Sequence, residues 1–126
     1  MKYILLASVC GFLVGCDAHR ERIIGPYIAV AIDVPEQMDI SYDLGNGSSI
    51  GRIEPTVIAF GYNDKYIVAK QHPEKDPSEI HYFYLEMSKD SKYAEPKDSV
   101  TGPLSEAEYN KAKVLLHLPE FSRTLD

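Results

Sequence analysis

A metal site or a general base in this chain would have to be built from four histidines, His19, His72, His81 and His117, or from the carboxylates Glu74, Asp76 and Glu79. Zinc needs its ligands brought to one point by spacings such as H-x-H or H-E-x-x-H, and no histidine stands in either. The acidic trio lacks the EF-hand spacing and reads as a solvated loop. No serine stands in a G-x-S-x-G elbow. Residues 45–51, Gly-Asn-Gly-Ser-Ser-Ile-Gly, are glycine-rich but lack a phosphate-binding lysine, so they read as a polar turn. Asp39 and Asp43 lie on one strand about 13 Å apart, too far to act together on one bond. These residues give no catalytic group, no metal site and no cofactor. A small hydrolase is disfavoured because nucleophile and base do not occur as a set.

The remaining chemistry is a thiol. Lys2 precedes an uncharged run over residues 3–16, which as a helix would reach roughly 21 Å. A bilayer core is about 30 Å thick, so the run is short for a span and has the form of a secretory signal. The tetrapeptide Leu13-Val14-Gly15-Cys16 resembles the lipobox of bacterial lipoproteins. That resemblance implies cleavage before Cys16, a diacylglycerol thioether on its sulfur and acylation of the new amino end. The small Gly15 lets a peptidase approach the backbone. Asp17 resembles the residue that retains lipoproteins in the inner membrane of enteric Gram-negative bacteria. The expected division is a signal over residues 1–15, a lipidated tether over residues 16–26 and one domain over residues 27–126. With Cys10 discarded and Cys16 blocked, the mature chain would hold no free thiol and no internal disulfide.

Apolar residues make up 44 % of the chain, enough for one packed core. The formal charge of -6 excludes an electrostatic nucleic-acid binder. Without Lys2 the balance is 12 basic against 19 acidic residues, or -7, so lipid rather than a basic patch would hold the protein at a bilayer.

The elements follow from periodicity. Residues 27–34 alternate, with Ile28, Val30, Ile32 and Val34 on one face and Ala29, Ala31 and Asp33 on the other. Residues 38–44 alternate likewise, with Met38, Ile40, Tyr42 and Leu44 together. A short piece over residues 49–53 is expected to pair locally. Residues 56–71 form a hairpin with a turn at Asn63-Asp64, which pairs Phe60 with Ile67. In residues 80–87, His81, Phe83, Leu85 and Met87 oppose Ile80, Tyr82, Tyr84 and Glu86. Residues 88–102 read as a surface loop. Ser105 and Glu108 form a capping box, and Leu104 with Tyr109 a staple, for a helix ending near His117 before Pro119. The expected fold is α+β, an antiparallel sheet of about five strands with one C-terminal helix packed on it.

Residues 62–70 (Tyr-Asn-Asp-Lys-Tyr-Ile-Val-Ala-Lys), 80–84 (Ile-His-Tyr-Phe-Tyr) and 102–109 (Gly-Pro-Leu-Ser-Glu-Ala-Glu-Tyr) resemble, in order, a group of small uncharacterised bacterial lipoproteins. The resemblance carries no reaction. Its size and address are shared by immunity proteins and hydrolase inhibitors.

The expectation is a non-enzymatic lipoprotein on the cell membrane, at the periplasmic face of the inner membrane in a Gram-negative cell. Its partners would be the bilayer, through acylated Cys16, and a protein of the envelope. The alternative is a structural envelope lipoprotein with no discrete ligand. Tyrosine gives large contact area and a hydroxyl at small entropic cost. Tyr82 and Tyr84 are therefore the expected partner-binding residues, on the premise that the helix covers the Phe83 face and leaves theirs to solvent.

Overall fold

The computed structural model describes residues 19–125. Nine strands form two sheets in which every pairing is antiparallel. The first holds β1 (His19–Ile24), β2 (Tyr27–Ala31), β3 (Asp39–Gly45) and β4 (Ser48–Ile53) in that spatial order. The second holds β5 (Val57–Tyr62), β6 (Tyr66–Gln71), β7 (His81–Glu86), β8 (Val100–Leu104) and β9 (Arg123–Thr124), in the order β8-β7-β6-β5-β9. A one-turn helix α1 (Pro96–Ser99) precedes β8, and α2 (Glu106–Leu116) follows it. The α+β class holds, but the expected single sheet is two sheets packed face to face, with α2 on the outer face of the five-stranded one.

The core between the sheets joins Tyr27, Ala29, Ile40 and Ile53 of the first to Phe60, Ile67, Phe83 and Leu85 of the second. Burying a side chain of the size of Ile40, Ile53, Ile67 or Leu85 contributes about 1.5–3 kcal/mol. β2 is buried on both faces. Its alanines allow the second sheet to approach closely. Ile28 and Val30, on the outward face, lie beneath Arg20 and Arg22, which reach across β2 from β1 to the carboxylate of Asp43 on β3 at 3.2 and 2.8 Å. The long aliphatic stems of the arginines cover the strand while their heads stay wet.

This arrangement corrects the tether. Residues 19–24, polar enough to read as a linker, are an edge strand, because Ile23 is buried and the two arginines find Asp43. Cys16 and Asp17 lie outside the described residues.

The β5–β6 hairpin forms with its turn one residue later than expected, centred on Asp64-Lys65, so that Phe60 faces Ala69 and Tyr62 faces Ile67. The Asn63 side chain causes the slide. Its Oδ1 accepts from the amides of Lys65 and Tyr66, at 2.8 and 2.7 Å, which an Asn at the first turn position can do and one at the centre cannot.

The capping box of α2 forms as expected. The Glu108 amide donates to Ser105 Oγ at 3.1 Å, and the Ser105 amide to Glu108 Oε1 at 2.8 Å. These bonds draw the Glu108 carboxyl below its usual pKa. After His117, whose left-handed φ of 55° ends the helix, the chain crosses β5 and returns along it as β9.

The segment over residues 88–102, expected as a loop, holds a 3-10 turn, α1 and most of β8.

A cleft at one end of the sandwich

Strand direction sorts the loops to two ends. At one end lie the start of β1, residues 32–38 between β2 and β3, the β4–β5 crossing, and residues 72–80 between β6 and β7. The cleft opens at this end, on the side where β4 and β8 form the sheet edges. It holds about 660 Å³. Ile53, Phe83 and Val100 give it an apolar floor, and Pro55, Pro73, Pro96 and Pro103 stiffen its walls.

The polar groups around the cleft hold its shape. Gln71 ends β6 opposite His81 at the start of β7. The Gln71 amide nitrogen donates to the Glu54 carbonyl at 3.0 Å, which turns its oxygen toward His81 Nδ1 at 3.3 Å. His81 Nε2 meets the Glu79 carboxylate. Both ring nitrogens therefore face acceptors. The histidine thereby braces the β6–β7 connection.

Behind the cleft is a buried ion pair. Arg52 Nε donates to both Asp90 carboxylate oxygens, at 3.1 and 2.9 Å. Its Nη2 donates to the carbonyls of Ser91 and Ala94, and Nη1 to that of Gly51. Tyr27 completes the set by donating its hydroxyl to Asp90 Oδ2 at 2.8 Å. Both charged side chains are fully enclosed. Burial, and then the bond to Asp90, push the Tyr27 phenol well above its usual range. The network pins residues 90–94 to the first sheet, and so places α1, which begins at Pro96, as one wall of the cleft. Sequence reasoning missed both residues. An arginine in a short polar strand and an aspartate in an apparent loop, 38 positions apart, carry no local sign of one another.

The expected tyrosine surface is corrected. Tyr82 is 9 % exposed, because α2 lies on its face and not on that of Phe83. Its ring stacks on Tyr109 with centroids 4.9 Å apart and lies near Phe121. Tyr84 is half-buried, edge-on to Tyr66 at 6.0 Å. The Phe83–Leu85 face is in the core between the sheets. Tyr82 is thus withdrawn from any partner surface, and Tyr84 offers only part of its ring.

Among the described residues, no three His, Cys, Asp or Glu side chains are grouped to hold a metal ion. No helix among them is long and apolar enough to cross a membrane. Asp76 spends an oxygen on the amide and hydroxyl of Ser78, which hold its carboxyl below the usual range. Asp39, accepting from Ser41, is pushed up by burial.

No curated protein and no solved structure matches the chain. A family model described as "Protein of unknown function (DUF3997)" matches residues 26–122, the span from the turn before β2 to the segment before β9. Since the match covers most of the chain, the protein belongs to this family of unknown function, DUF3997.

Proposed function

We propose that the protein is a lipid-anchored, non-enzymatic binding module of the cell envelope. Cys16 carries the lipid, and Asp17 keeps the chain at the periplasmic face of the inner membrane in a Gram-negative cell. The sandwich presents its cleft to a protein partner, as an immunity protein or inhibitor would. The observation that carries the binding role is the cleft itself, a preformed concavity with an apolar floor whose neighbours Arg52, Gln71 and His81 hold its walls. Preformed pockets bind with little ordering cost. A partner would seat apolar side chains on Phe83 and Val100, with Lys75 and Lys97 meeting acidic groups at the rim.

The lipobox supplies the address, and the first strand begins only three positions after Cys16. Capture of the partner from an envelope extract, followed by measured affinity, tests the binding role. Reversing a rim charge by Lys97→Glu, at an exposed position, is expected to weaken binding at least tenfold, with the melting temperature little changed. Partner binding that is indifferent to this substitution contradicts the role of the cleft.

A further inference from the structure

Ile28, Val30, Ile32 and Val34 are one apolar stripe, and the fold uses only half of it. Ile28 and Val30 are buried under the arginines of β1. Ile32 and Val34 continue past the end of β2 and are 72 % and 44 % exposed. Their turn is nonetheless held firmly. The Gln37 amide donates to the Val34 carbonyl, Thr56 Oγ1 to the Glu36 carbonyl, and the Val57 amide to the Met38 carbonyl. A pinned turn that displays two aliphatic side chains gains nothing for the sandwich by doing so.

Its position suggests what it meets. Ala31 pairs with His19 across the β1–β2 ladder. Paired Cα atoms are about 5 Å apart, so Ile32, one residue on, lies within about 9 Å of His19. His19 follows Cys16 by three positions, at most about 11 Å of chain. Ile32 therefore sits within about 20 Å of anything attached at Cys16. Two further exposed aliphatic pairs lie elsewhere: Leu44 and Ile50 toward the β3–β4 turn, at the opposite end of the sheet, and Val114 and Leu115 in the last turns of α2. That helix starts beside Leu104 on the β8 edge and leads to Glu120, which lies against Gly61 of β5, so it crosses the outer face of the second sheet, on the other side of the sandwich from β1.

We infer that the turn at Ile32 and Val34 is a second membrane contact, set into the headgroup–acyl boundary when Cys16 is lipidated. The inference rests on the anchoring proposed above. The acyl chains on Cys16 retain the protein but leave its body free to swivel about the short tether, and a second apolar contact fixes the orientation of that body. Asp33 and Glu36 stand exposed beside the pair and are repelled by anionic headgroups, so the matching surface is zwitterionic phospholipid.

The chain contains no tryptophan, so one introduced at a time is an unambiguous reporter. Ile32→Trp and Leu115→Trp variants of the full, lipidated chain would be bound to phosphatidylcholine vesicles with brominated acyl chains. Co-flotation and the mass of the N-terminal fragment report anchoring in the same sample. The expected result is blue-shifted emission and bromine quenching at position 32, with neither at position 115. A protein that floats and carries lipid but shows no quenching at 32, or equal quenching at both positions, overturns the inference alone. A protein that carries no lipid and does not float overturns the anchoring and the inference together.

Discussion

The ring of Tyr82 stacks on that of Tyr109 at 4.9 Å with planes 26° from parallel, and this contact joins the C-terminal helix to the second sheet. Removing either ring opens a cavity under α2. Tyr82→Ala and Tyr109→Ala are each expected to cost about 3 kcal/mol in urea unfolding. A double-mutant cycle should return a coupling of about 0.5–1.5 kcal/mol. A melting temperature unchanged by Tyr82→Ala would mean that the ring is exposed. By contrast, the Tyr109 hydroxyl is buried and has no hydrogen-bond partner among the described residues, so Tyr109→Phe should be nearly neutral.

The same residue gives an alkaline limit. Burial, aided by Glu120, pushes the Tyr109 phenol up from 10.0 to about 12. Between those values the folded state binds a proton that the unfolded state has released, so stability falls as pH rises through this window. Tyr27 is raised too and acts in the same direction. The urea midpoint should drop as pH goes from 10 toward 12, and Tyr109→Phe should flatten the drop. A midpoint that rises over this range contradicts the burial of both phenols.

Arg52 and Asp90 should behave as a buried pair rather than as two surface charges. Loss of one partner leaves the other enclosed and unpaired, which costs about 3–5 kcal/mol. Asp90→Ala and Arg52→Ala are both expected in that range. Joint replacement by leucine should cost less than either single change. Equal and small effects, under about 1 kcal/mol, would place the pair at the surface.

Two glycines are needed for close approach. A Cβ on Gly61 would lie 1.9 Å from the Glu120 carbonyl oxygen, and one on Gly102, at φ 144°, 2.4 Å from the Phe83 ring. Gly61→Ala should lift the returning C-terminal segment. The amides of Ser122 and Leu125, bonded to the Phe60 and Ile58 carbonyls, should then lose hydrogen-exchange protection before the core does. Protection that persists at both would contradict the crossing.

Local signals in the sequence matched the fold where local chemistry decides it. The capping box at Ser105 and Glu108 forms as its spacing implies, and so does the alternation of Met38, Ile40 and Tyr42, while Leu44, expected on the same face, is exposed where β3 runs out into its turn. The sequence reading failed where a partner lies far along the chain. β1 looks like a tether because Arg20 and Arg22 meet Asp43 more than twenty positions away. β7 has two apolar faces, and ranking them by bulk presumed that one faced water. The first sheet covers one face and α2 the other, so neither is free. The cleft gathers residues spread from Arg52 to Pro103, which no spacing rule connects.

Lipid attachment at Cys16 is the claim on which address and orientation both depend. Cells expressing the full chain would be fed an alkyne fatty acid, and the protein isolated and labelled. The native chain should carry label in the membrane fraction at the size of the cleaved form. The Cys16→Ser chain should carry none and remain as uncleaved precursor. Equal labelling of that variant, or a native chain that is never labelled, would contradict the account.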